Sequence, residues 1–367
     1  MLSFLLCNFV AMRIVIAIFF MLLVAFSPFA IKQQTEPILP QVDSTSLRYR
    51  LRIVAAGDLM MHTPQLTSAR RGDGSYDFSH SMRYVAPYFQ DADVAIVNLE
   101  TTIAQAPPYT GYPCFKSPVA VVQAMRDMGI DIAALANNHC CDGGANGIKT
   151  TTKVLDSLGI MHLGAYADSL DYEQNSIHYI KHNNISLAVV NYTYGTNGLP
   201  TPRGMIVNRL DTISMANDFA IAKSKGIDCL VAIVHWGNEY ERKPNKQQRR
   251  IAEFMRRNGV DLILGSHPHV VQTVEVDSVN GVTMWSMGNF VSNQRKRYCD
   301  GGIIGVIDIE REGNNPLRYS LKVVPVWVRR DGYVILPPEI GDTIKMNDYE
   351  RERYLQFMDD TQHLLLE

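Results

Sequence analysis

The sequence has no Cys-x-x-Cys pair; its six cysteines, Cys7, Cys114, Cys140, Cys141, Cys229 and Cys299, are scattered along 367 residues. That spacing disfavours a thiolate zinc site of the closed structural kind. An excess of charge is missing too: 35 Lys and Arg against 37 Asp and Glu leave a formal net charge of -2. There is no basic field to draw nucleic acid, and nucleic acid is not an expected partner. Low-complexity sequence is confined to residues 33–47, rich in Pro, Gln, Ser and Thr and without periodicity, which read as a tether. The remainder, with 46% hydrophobic and 20% charged residues across the chain, is ordinary globular material able to bury a sizeable core.

One long hydrophobic run stands apart. Ile14 to Ile31 is almost wholly apolar, follows Arg13 and precedes Lys32, and is long enough to span a bilayer. Residues 1–32 therefore read as a signal or anchor segment, and Met12-Arg13 as a more natural start than Met1. A cut after Ala25-Phe26-Ser27 would leave Pro28 next to it, and Pro28-Phe29-Ala30 has proline where a small residue is wanted. The balance favours an uncleaved anchor in the cell envelope, with the domain outside the cytoplasm, over a protein secreted after signal cleavage. Export raises the question of disulfides. Cys114 with Cys140 or Cys141 is one option, and free buried thiols are the favoured one.

From Arg48 the chain alternates short apolar strands with helical patterns, which predicts an α/β domain over residues 48–340, followed by a helical segment over 341–367. One phrase recurs: an amphipathic helix, a Gly followed by Ile or Val, a short apolar strand, then a chemically active residue. Gly129-Ile130 leads to Asn138-His139, Gly226-Ile227 to His235, and Gly259-Val260 to His267. The Gly suits a left-handed helix stop, and strands so apolar are buried on both faces. Leu158-Gly159-Ile160 repeats the phrase but leads to no clear ligand set. Residues 301–328 read as two or three antiparallel strands, and Tyr349 to Leu366 has helical spacing.

Ligands bind outside the C-terminal ends of strands in open α/β sheets, and polar residues collect there. Asp58 follows Arg52 to Gly57, Asn98 and Glu100 follow Val94 to Val97, Asn138 and His139 follow Ile132 to Ala136, His235 follows Leu230 to Val234, and His267-Pro268-His269 follows Val260 to Gly265. A lone buried His is ordinarily a hydrogen-bonded core residue, which suits His162, His178, His182 and His363. It suits three histidines at strand ends badly. Asp58, Glu100, Asn138, His235, His267 and His269 form a hard-to-borderline ligand set for a divalent metal, Mn, Fe or Zn, with donors enough for two ions bridged by one carboxylate. Phosphoester hydrolysis is the chemistry such a pair serves best, with His139 as general acid. The basic run Arg295-Lys296-Arg297 offers a hold for an acidic substrate.

Six motifs then carry a resemblance: Gly57-Asp58-Leu59-Met60, Asn98-Leu99-Glu100, Asn137-Asn138-His139, His235-Trp236-Gly237-Asn238-Glu239-Tyr240, Gly265-Ser266-His267-Pro268-His269-Val270 and Gly288-Asn289-Phe290. In this order, from about Arg52 to Ser292, they resemble the CapA family of poly-γ-glutamate capsule biosynthesis proteins, a branch of the calcineurin-like metallophosphoesterases. The resemblance implies a four-layer α/β/β/α sandwich and a role in making, exporting or trimming an anionic polymer at the envelope. The wider metallophosphoesterase pattern has a His two residues after the first Asp; this chain has Met60 there, with His62 a further two residues on. In place of the usual bridging Asp stands the Asn98-Leu99-Glu100 motif, so Glu100 is expected to bridge with Asn98 in support. Glu239 is expected beside His235, and Asn289 in the substrate pocket. The substrate implied is an anionic polymer or phosphoester, cut at a phosphoester or γ-glutamyl amide. The rivals are a non-catalytic subunit of a membrane synthase or export complex that keeps the fold, and a binding module without metal.

Overall fold

The computed structural model describes residues 47–366, within the unit that begins at Asp43; the expected anchor at 14–31, the tether up to residue 46, and Cys7 lie outside the described residues. In chain order the principal strands are β1 (Arg48–Leu59), β2 (Val94–Leu99), β3 (Ile132–Ala134), β4 (Met161–Leu163), β5 (His178–His182), β6 (Ile185–Thr193), β7 (Cys229–His235), β8 (Leu262–Ser266), β9 (Val274–Asp277), β10 (Gly281–Met284), β11 (Asn289–Val291), β12 (Gly301–Glu312), β13 (Arg318–Val328) and β14 (Ile335–Leu336). They form an eight-stranded sheet in the order β14-β13-β12-β1-β2-β3-β4, with β11 also paired to β1, and a six-stranded sheet in the order β9-β10-β8-β7-β6-β5.

The first sheet is parallel on one side and antiparallel on the other, and the second has a parallel centre with antiparallel edges. β1, β2, β3 and β4 run parallel, as do β6, β7, β8 and β10. The helices Ala120–Met128, Gly144–Ser157, Thr212–Ser224 and Lys246–Arg257 make the crossovers. The glycines that close three of these crossovers have the left-handed conformation expected of a helix stop, with φ of +100° at Gly129, +69° at Gly226 and +81° at Gly259. The segment 301–328 adds β12 and β13 antiparallel to β1, extending the first sheet.

Alternation along β1 sorts its side chains between two cores. Val54 and Ala56 join Val121, Val122 and Met125 of a helix on one face, while Leu51, Ile53 and Ala55 meet Leu187, Val231 and Leu264 of the second sheet on the other. A third core lies on the far face of the second sheet, where Met215, Phe219, Ile251 and Met255 of two helices cover Val190, Ala232 and Ile263. The result is a mixed α/β fold with two facing sheets and helices outside them. Helix Asp348–Leu366 puts Tyr354, Phe357 and Leu364 into the core between the sheets. Among the described residues no helix is long and apolar enough to cross a membrane.

The cysteines from Cys114 onward are free thiols. Of the histidines expected to be core residues, His162 is buried between Asp156 and Asp171 (3.0 and 2.8 Å), and half-buried His178 meets the His162 carbonyl (2.8 Å). His182 and His363 lie instead at the surface, each beside a carboxylate (Asp93 at 3.1 Å and Asp359 at 3.2 Å), because an edge strand and a terminal helix have outward faces that never enter a core.

Candidate metal centre

The parallel strands of both sheets end at one place. Asp58 and Asn98 are still inside β1 and β2, paired in register, and His235 is the last residue of β7. Glu100, Asn138 and His139 follow β2 and β3; His267 and His269 follow β8. All eight are buried. The two histidines after β8 have positive φ, +100° at His267 and +56° at His269. Such backbone strain persists only where the surroundings impose it, and it gathers at functional sites.

Hydrogen bonds tie the two sheets together here. Asn98 Nδ2 donates to Asp58 Oδ1 (2.8 Å) and lies 3.3 Å from both Glu100 Oε2 and His235 Nδ1. His269 Nδ1 is 2.9 Å from Asp58 Oδ2, which leaves its Nε2 facing Glu100 Oε1 at 3.9 Å. His235 Nε2 lies 3.0 Å from Asn138 Oδ1 and 3.6 Å from Glu100 Oε1. Two groups therefore have ligand atoms within 4.8 Å of one another, Asp58 with Glu100 and His235, and Glu100 with His267 and His269. Glu100 belongs to both.

The ionisation states follow from this burial. Glu100 has its pKa pushed well above the usual carboxylate value by burial and by the neighbouring Asp58. Burial would raise Asp58 as well, but the hydrogen bond with His269 and that from Asn98 outweigh it and hold the group low. Burial pushes His235 well below the ordinary imidazole value and His267 to about 3, helped in each case by the neighbouring histidines. Both imidazoles thus keep their lone pairs at neutral pH. Glu100 Oε1 and His267 Nδ1 are buried with no hydrogen-bond partner among the described residues, and such orphaned groups cost about 1–3 kcal/mol each unless something binds them. Carboxylates, an amide oxygen and imidazoles without a thiolate fit a divalent cation.

The other expected residues are placed around this set. His139 Nδ1 lies 2.7 Å from Asp142 Oδ2, and its Nε2 faces Asn197 Nδ2 at 3.4 Å. Asn197 also accepts from Asn138 Nδ2 (3.2 Å). His62 stands outside both groups of ligand atoms. Its Nδ1 accepts from the Asn293 N–H (3.3 Å), its ring meets Phe115 edge-on, and burial lowers its pKa to about 4. Buried Met60 occupies the position two residues after Asp58. Asn289 pairs with Asp58 across β11 and β1; its amide nitrogen reaches three acceptors while its Oδ1, fully buried, has none. Glu239 lies on the exposed loop after β7.

Three residues of the site escaped the sequence reading. Asp142 orients His139, and its position three residues later in the same turn was the available signal. Tyr194, which follows β6 and lies over His267 with ring centroids 4.5 Å apart, obeys the same strand-end rule. Asn197 sits in a loop with nothing in the sequence to mark it.

With this geometry established, comparison with known proteins decides the family. The bacterial capsule synthesis protein family PGA_cap matches residues 52–294. The chain belongs to that family. It is 29% identical over 277 residues to the capsule biosynthesis protein CapA of Bacillus anthracis, covering 71% of this chain and 64% of that one. It is 30% identical over 292 residues to the PGA biosynthesis protein CapA of Bacillus subtilis, covering 77% of this chain and 72% of that one. The chain thus spans a little under two thirds of the length of the first relative. A crystal structure of a putative 5'-nucleotidase from Staphylococcus aureus is similar with a TM-score of 0.52 and 14% identity, covering 84% of this chain and 58% of that chain. That likeness is one of fold. The chain accordingly shares the fold of that nucleotidase, and the family match covers all six motifs.

Proposed function

We propose that this protein is an envelope-anchored, metal-dependent hydrolase of capsule or poly-γ-glutamate biosynthesis, acting on a phosphoester or on a γ-glutamyl amide of an anionic polymer. The observation that carries the reading is Glu100: a buried carboxylate with one unpartnered oxygen, shared by two groups of donors. Asp58, Glu100, Asn138, His235, His267 and His269 would hold the cation, and the sharing of Glu100 supports two ions, Mn, Fe or Zn. The order of helices, sheet, sheet and helices agrees with the four-layer arrangement of metallophosphoesterases.

A divalent metal supplies Lewis acidity at such a site and makes water a nucleophile at neutral pH. The chain's own groups do the rest. Asp58 holds His269 by its Nδ1 atom, and Asn98 bridges Asp58 and His235. With Asp142 accepting the proton on Nδ1, the Nε2 atom of His139 takes up a proton and gives it to the leaving group. Asn197 keeps that nitrogen beside Asn138. A second reading, a non-catalytic subunit of a membrane synthase or export complex, has support in the relatives' names as biosynthesis proteins.

Elemental analysis of the purified full chain, with phosphodiester and poly-γ-glutamate cleavage assays on the same sample, tests the proposal. Expected are bound Mn, Fe or Zn, metal content reduced in His267→Ala, and turnover of one substrate. Metal without turnover would leave the subunit reading; absence of metal would overturn both the ligand assignment and the hydrolase.

A further inference from the structure

The basic run Arg295-Lys296-Arg297 is pulled apart by the fold. Arg297 meets both carboxylate oxygens of Asp360 (3.0 and 2.8 Å) and stacks on Tyr298. Arg295 turns inward, donates to the Val328 carbonyl (2.6 Å) and lies over Tyr333. Lys296 is exposed and makes no ion pair among the described residues. Its ammonium sits 4.3 Å above the ring of Tyr240.

Tyr240 brings that charge to the metal centre. Its backbone N–H donates to the carbonyl of Pro268 (2.8 Å), the residue between the two histidines after β8, and its ring centroid lies 6.4 Å from that of His269. Its φ is +68°, so the loop is held in a conformation that the contact with Pro268 selects. Burial and the neighbouring Glu239 carboxylate push the pKa of the Tyr240 hydroxyl up, so the ring stays neutral. The result is one exposed ammonium, pre-ordered on an aromatic face whose ring stands beside His269. An ordered cation loses less entropy on binding an anion than a free lysine does.

We infer that Lys296 on Tyr240 is a substrate subsite, which binds an anionic group of the polymer, carboxylate or phosphate, on the unit next to the one being cut. This rests on the reading of the site as acting on an anionic polymer. Lysine suits the task because it is a point charge on a flexible stem, tolerant of the exact place of the anion.

Equilibrium binding to the metal-loaded full chain separates the possibilities, with a γ-glutamyl oligomer and inorganic phosphate as separate probes. Lys296→Met is expected to weaken oligomer binding about twofold to fivefold, with metal content unchanged and with binding retained in Lys296→Arg. The difference should vanish at about 0.5 M salt, where screening reaches within a few ångströms. Tyr240→Ala, which removes the platform, should weaken binding in the same sense. If phosphate binding falls and oligomer binding does not, the anion served is a phosphate. Unchanged binding of both probes in Lys296→Met overturns the subsite while leaving the anionic-polymer reading intact. A metal-loaded wild-type chain that binds neither probe overturns both.

Discussion

Glu100 and His139 show two ways in which a single side chain is prepared by its neighbours. Glu100 is buried beside Asp58, and both the burial and the neighbouring carboxylate push its pKa well above the usual carboxylate value. His139 is instead fixed in direction, by Asp142 on one nitrogen and Asn197 near the other, with Phe115 against its face. The functional consequence differs accordingly. His139→Ala is expected to lower kcat about 10²–10⁴-fold, the usual worth of a general acid, with metal content unchanged by elemental analysis. Asp142→Asn should lower kcat by less with KM unchanged, since it removes only the group that aims the ring. Loss of metal in either variant would move His139 into the ligand set. The proposed ligand residues were legible because each follows an apolar run. Asp142 was not, since a carboxylate three residues after a histidine in a turn is ordinarily a surface group.

At the scale of elements, the strands were legible wherever they are parallel and buried on both faces, because such strands read as continuous apolar runs. Their ends were less so: β2 continues to Leu99 and β7 includes His235, as ladder bonds to neighbouring strands carry the pairing past the last apolar residue. The closing helix Asp348–Leu366 is held by an ion pair as well as by its apolar face. Arg329 donates from Nε and Nη2 to the two carboxylate oxygens of Glu350 (2.9 and 3.0 Å). Burial alone would raise the pKa of Glu350, but these bonds and the one donated by the Asn347 backbone N–H (3.2 Å) outweigh it and hold the group below the usual carboxylate value. A carboxyl lowered by folding stabilises the folded chain fully above its unfolded pKa, and that contribution is lost as pH falls through the folded value. Glu350→Gln is therefore expected to cost about 1.5–3 kcal/mol at neutral pH, the range for hydrogen bonds to a charged group. In urea titrations the gap between variant and wild type should close as pH falls through the lowered folded-state pKa of Glu350; a gap that is independent of pH would show that the pair contributes nothing through charge.

For the whole molecule, the two sheets matter more than either alone. Asp58, Glu100 and Asn138 come from the first and His235, His267 and His269 from the second, so the centre exists only where the two sheets face each other. The strand ends that carry it lie at the other end of β1 from Arg48. The anchor makes a prediction at this scale. The full chain should sediment with membranes and resist extraction by high salt, while a chain starting at Arg48 should not. A full chain recovered shortened and soluble would replace the anchor with a cleaved signal.

Sequence alone determined the α/β alternation, the strand-end residues that carry the chemistry, and the family, because each depends on short-range pattern: apolar runs, a glycine stop, a polar residue next in line. Tertiary structure decided what depends on distance. It made Glu100 common to two donor groups, kept His62 outside them, aimed His139 with Asp142, and left Lys296 exposed while burying or pairing its two basic neighbours. These outcomes come from contacts between segments up to about two hundred residues apart, such as Asp58 with His269 (|i−j| of 211), and no local pattern encodes which side chain meets which across two sheets.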